Sequence, residues 1–183
     1  GSSSPSRFMK FLTTLSVALL ALTAWAVPEC VVLQVAPQKA EAEVWIADDL
    51  GSFLDEEGRV TPIVWTEADA LFRQMNGRSK RKYPSRAGEK EGLSFCAEHR
   101  VPYLLVITAA QSDQGLLLAA KMYHSGSQVW TYGDTQKVSG NGSTTSAVLS
   151  AARTIAILAG EGPLKSLPAR AKLPTPKPEK GTR

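Results

Sequence analysis

The sequence predicts a mixed α/β (α+β) domain, a two-layer arrangement of a central mixed sheet and packed helices, in the order β-α-β-α-β-β-β-α. Three observations carry this expectation. Short β-branched runs alternate with apolar positions at helical spacing through the first half of the chain. A continuous apolar run at 101–108 calls for burial on both faces, as in a central strand. Hairpin signals at 112–115 and 125–127 then turn the chain into an antiparallel meander, which a last helix closes.

Val31 to Val35 reads as the first strand, broken at Pro37. Over 40–57, Ala42, Ile46, Leu50, Phe53 and Leu54 recur at helical spacing; Glu41 and Glu43 favour the positive end of that helix and Gly58 stops it. Gly51, inside the span, weakens the helix by about 1 kcal/mol against alanine. Val60 to Trp65 reads as a strand that Pro62 assigns to an edge. Thr66 is the expected N-cap of a second helix, with Ala68, Leu71, Phe72 and Met75 on its apolar face and Gly77 at its end. Residues 78–90 are basic and contain Pro and Gly, so they read as an exposed excursion before a helical piece at 89–99. Strands follow at 101–108, 116–124 and 128–138; in the last, Trp130, Tyr132 and Asp134 share one face. The loop at 140–143 precedes a helix over 144–159, with Gly160 as its C-cap.

The 183 residues carry a formal charge of +4, which divides into +2 on 1–26, −3 on 27–162 and +5 on 163–183. The basic character belongs to the ends, so no nucleic-acid partner is expected. Residues 1–26 read as a secretory signal: Arg7 and Lys10 precede the apolar run from Phe11 to Leu22, and Ala24-Trp25-Ala26 sets cleavage after Ala26. A retained membrane anchor over 11–28 is the alternative, at the lower limit of spanning length. The domain is expected over 27–162. The Pro/Lys-rich tail 163–183 is expected to be disordered or PPII-like, suited to contact with an anionic surface.

No catalytic signature, cofactor motif or metal-ligand spacing emerges, and a non-enzymatic role is expected. His99 and His124 lack a serine in a nucleophile-elbow context. Gly140 to Thr145 resembles a phosphate loop but lacks its lysine, so a small-anion or ligand site, enzymatic or not, is the alternative reading there. Asp48-Asp49 and Asp55-Glu56-Glu57 read as solvated helix surface. Cys30 and Cys96 are either a disulfide or two buried thiols. Trp45 falls about 100° from the buried helical positions Ile46 and Leu50, so an exposed Trp45 would be a candidate partner anchor; Arg78, Lys80, Arg81 and Lys82 of the basic loop read first as a solvated surface, with a partner contact as the alternative.

Three segments carry a family resemblance. Glu98-His99-Arg100-Val101-Pro102-Tyr103-Leu104-Leu105 resembles a helix-to-strand junction, Gly115 to Tyr123 the second strand of a meander, and Gly126-Ser127-Gln128-Val129-Trp130-Thr131 the turn and strand after it. Together with the element order over residues 30–160, they resemble the amino-terminal domain of TolB and its relatives in the LpoB and CsgG groups. Arg100 and Pro102 depart from the family pattern. The resemblance implies a periplasmic or secreted module that contacts another envelope protein. It also implies that Cys30 and Cys96 lie at the same edge of two parallel strands, where a disulfide fits.

Overall fold

In the computed structural model, which describes residues 26–39, 41–138 and 144–170, the strands form one mixed sheet. β1 (Glu29–Gln34) has parallel neighbours on both sides, β3 (Thr61–Val64) and β4 (Tyr103–Ser112). β4 continues antiparallel into β5 (Gly115–His124) and β6 (Ser127–Gln136), and the two-residue β2 (Ala42–Glu43) pairs with Ala110 and Gln111 of β4. The helices are α1 (Ala47–Glu57), α2 (Ala70–Arg78), α3 (Glu89–His99) and α4 (Thr144–Glu161).

Strand alternation distributes the helices. Cys30 and Val32 of β1 and Leu105 and Ile107 of β4 point to one face, where α1 and α4 cover them with Leu50, Leu54, Ile155 and Ala159. Val31, Leu33, Leu104 and Val106 point to the other, where Phe72 of α2 and Phe95 of α3 pack with Trp65 and Tyr83. The mixed α/β class, with helices packed on a central sheet, is as the sequence indicates. The two layers hold across β5 and β6, whose outer face leaves Ala119, Lys121, Thr131 and Gly133 exposed; a second helical layer is added over the parallel strands.

The order differs from expectation at β2 and at the start of α1. The first helix begins at Ala47, not at residue 40, because its N-terminus is set by Gln34, the last residue of β1. Gln34 Oε1 accepts from the backbone N–H of Ile46 (2.9 Å) and Ala47 (3.2 Å). Its Nε2 donates to the Val44 carbonyl (2.8 Å) and to Glu43 Oε1 (3.3 Å). Ile46 has no side-chain acceptor, so a residue twelve positions earlier supplies the cap. Glu41 and Glu43 therefore precede the helix, and Asp48 and Asp49 occupy its first turn.

Other boundaries shift for equally local reasons. Asp69, not Thr66, caps α2: one carboxylate oxygen accepts from Phe72 N (2.9 Å) and the other from Val64 N (3.0 Å), fastening the helix to the end of β3. α2 runs through Gly77 to Arg78, and α4 runs through Gly160 to Glu161. A Cβ on Gly160 would come within 2.6 Å of Glu57 Oε2, so this glycine serves the close approach of α4 to α1 rather than a helix stop. The turns at Asp113-Gln114 and Ser125-Gly126 are as expected, the second with positive φ at both residues, 49° and 83°.

The domain also extends beyond residue 162. Leu164 is fully buried against α4, Arg59 Nη1 donates to the carbonyls of Lys165 (3.1 Å) and Leu167 (2.5 Å), and Arg170 N donates to the Gly58 carbonyl (2.8 Å). Residues 163–170 are thus held to the domain at Leu164, Lys165, Leu167 and Arg170, against the expectation of a free tail from 163. The segment expected to be a signal, up to Trp25, and the expected tail from 171 lie outside the described residues.

Gln34→Ala leaves two buried N–H groups and one carbonyl without partners. The substitution should lower unfolding free energy by about 3 kcal/mol, read from urea melts.

Candidate functional site

The basic segment between α2 and α3 is an ordered platform. Its centre is Tyr83, only 5% exposed within a run of polar residues. The carboxamide of Asn76, in the last turn of α2, donates to the Tyr83 carbonyl (3.0 Å) and accepts from the Tyr83 N–H (2.8 Å), as a strand partner would. The Tyr83 ring packs edge-on against Trp65 (5.8 Å) and Phe95 (5.5 Å). Trp65 Nε1 donates to the Pro84 carbonyl (3.0 Å), which fixes the next residue.

Glu98 of α3 completes the mount. Its carboxylate accepts from the backbone N–H of Lys80 (2.7 Å) and from the Tyr83 hydroxyl (3.1 Å). The Lys80 N–H, with help from the Tyr83 hydroxyl, holds this carboxyl below the ordinary glutamate range. Both oxygens of Glu98 are engaged by the loop itself. Among the described residues, none of the exposed side chains of Arg78, Lys80, Arg81 and Lys82 forms an ion pair. Arg81 lies over the Tyr83 ring at 4.9 Å, which keeps its guanidinium beside the anchor.

At the far end of the loop, Arg86 pairs with Glu43 (2.6 Å) and lies over the Trp45 ring at 5.6 Å. Trp45 is 37% exposed, and its Nε1 donates to Asp48 (2.6 Å). It stands in the link between β2 and α1, not on a helix face, so its exposure follows from that link rather than from helical angle. Arg86 thereby joins the two features singled out in the sequence, Trp45 and the basic loop. Asn76, Tyr83 and Glu98, which hold the loop, escaped sequence reasoning. A tyrosine inside a charged run was the one available signal.

The histidines are used structurally. His99 Nε2 and the Ser79 hydroxyl are 2.6 Å apart, the hydroxyl also donates to the Met75 carbonyl (3.2 Å), and the ring packs on Phe95 at 4.5 Å. Among the described residues no carboxylate hydrogen-bonds that imidazole, the third group a catalytic triad would use. His124 stacks on Tyr103 at 4.6 Å. No group of three or more His, Cys, Asp or Glu among the described residues could hold a metal ion. The alternative site at 140–145 falls largely outside the described residues, which resume at Thr144.

Cys30 and Cys96 are free thiols, which corrects the implied disulfide. The strands are parallel as inferred, but Cys30 faces α1 and α4 while Cys96 sits on α3, across the sheet. Burial pushes the Cys96 thiol up to about 12, and burial followed by the neighbouring Cys96 raises that of Cys30. Among the described residues no helix is long and apolar enough to cross a membrane.

Two outcomes follow from this geometry. A thiol reagent without reductant should find two thiols per chain after unfolding and react slowly with the native protein at pH 8. Asn76→Ala should release the loop, seen as a several-fold faster tryptic cleavage within 78–86 under native conditions. In comparison with known proteins, the chain matches no family model and no curated protein.

Proposed function

We propose that this chain is an exported, non-enzymatic interaction module of the cell envelope that docks an acidic face of another envelope protein. The contact surface is Arg78 at the end of α2 with Lys80, Arg81 and Lys82 of the loop after it, and Trp45 as a flanking aromatic anchor. One observation carries the reading: four cations without ion-pair partners among the described residues stand at the end of α2 (Arg78) and on the loop after it (Lys80, Arg81, Lys82), whose backbone is held by Asn76, Glu98 and Trp65.

The physical logic is preorganisation. A mobile basic loop would lose conformational entropy on docking, whereas a fixed one presents its charges at little further cost. Rigidly placed like charges favour an acidic counter-surface, speed encounter and weaken with salt. The half-exposed Trp45 supplies apolar area that charge alone does not, the usual composition of a contact centre. The reading of residues 1–26 as a secretory signal and the resemblance to TolB-like envelope domains support the location and the protein-binding role.

Crosslinking in the native envelope, followed by capture, tests the reading. The unaltered chain should retain one specific acidic partner, and the yield should fall as salt rises. The quadruple variant Arg78→Gln, Lys80→Gln, Arg81→Gln, Lys82→Gln should lose that partner at least tenfold, with an unchanged thermal midpoint. Equal capture by the quadruple variant, or no specific partner at all, would overturn it.

A further inference from the structure

We propose that the groove between α1 and α4 is the seat of this chain's own C-terminal residues 171–183. The groove encloses about 560 Å³. Its apolar part is Phe53 on α1 and Ala156 and Ile157 on α4, and Ile157 is 43% exposed. Glu56, Glu57 and Glu161 line it as well. Among the described residues, none of these three carboxylates is in an ion pair.

The two arginines that line the groove are already engaged. Arg59 donates to the carbonyls of Lys165 and Leu167, and the Arg153 guanidinium lies over the Phe53 ring at 4.6 Å. Neither pairs with the carboxylates. Burial, with Glu161 and Glu56 nearby, raises the Glu57 carboxyl above the ordinary range even against the pull of Arg59. The surface therefore gains from an added cation and from a short apolar side chain together.

The chain delivers both to this place. Ala169 is itself part of the groove wall, and Arg170 is tied to Gly58, at the C-terminal end of α1. The thirteen residues that follow, Ala-Lys-Leu-Pro-Thr-Pro-Lys-Pro-Glu-Lys-Gly-Thr-Arg, hold four cations against one acid. Lys172 comes two residues after the anchor and Leu173 three, which sets a cation against the carboxylates and a leucine against Ile157. Three prolines in the next five residues favour an extended course of about 3 Å per residue, long enough to follow the groove, and lower the entropy lost on seating.

Backbone amide NMR of the full chain tests this. Lys172→Glu, Lys177→Glu and Lys180→Glu together should shift the amides of 53–59 and 153–161 and leave those of 78–86 in place. Adding Glu56→Lys, Glu57→Lys and Glu161→Lys to that triple variant should return 53–59 and 153–161 toward their original positions by restoring opposite charges. A chain ending at Arg170 should reproduce the shifts of the triple variant, independent of protein concentration. Unmoved groove amides in both the triple variant and the shortened chain would overturn the proposal, because the tail would then lie elsewhere. Shifts that depend on protein concentration would also overturn it, by assigning the groove to the tail of a second copy.

Discussion

A single buried carboxamide decides how the first third of this chain is arranged. Gln34 is 2% exposed and uses both of its donors and both of its acceptor positions on β2, the β2–α1 link and the first N–H groups of α1. An amide in that position is costly unless every hydrogen bond is made. Once made, those bonds fix where α1 begins, which sets Leu50 and Leu54 against β1 and Val44 beside β4. They also fix the link that carries Trp45, so the exposed indole and the buried core share one constraint. Asp69 performs the matching service on the other face, binding the end of β3 to α2.

The sheet is consequently two structures joined at β4. Its parallel half is covered on both faces, with Cys30 in β1 and Cys96 on α3 packed over it. Its meander half is covered on one face by α4, and the bridge from Lys121 to Glu89 is a half-exposed pair that contributes little. Parity along β1 and the helix position of residue 96 keep the two thiols on opposite sides, so parallel strands alone do not bring their sulfurs together. Burial then suppresses thiolate formation at both, which makes them packing residues.

The features legible in the sequence have local causes. The 101–108 run announced a central strand because its burial on two faces leaves no polar alternation. Ser125-Gly126 and Ser112 to Gly115 announced hairpins because turn geometry selects those residues. The start of α1 was not legible, because its cap comes from a strand twelve residues away, and an apolar period continued upstream through Ala42 without a helix beneath it. Gly77 and Gly160 read as stops, yet both lie inside helices, where at Gly160 the reason is a neighbouring helix that the sequence does not display. At the contact surface, the cations of 78–82 were plain from composition. Their rigid mount was not, since Asn76 and Glu98 act on the backbone of residues they do not adjoin.

The two faces of the sheet also differ in when they can be finished. Among the described residues, the cluster with Trp65 and Phe95 draws on nothing after Tyr123. The cluster on the opposite face takes its last wall from α4 and Leu164, and Arg59 waits for the carbonyls of Lys165 and Leu167. A chain made from its N-terminus therefore completes the cluster on one face of the sheet while the other, covered by α1, still lacks its α4 wall until the end of the domain arrives. The order of completion is vectorial: α1 and one face of the sheet can be in place early, and the cluster beneath α4 is closed only by the last described residues.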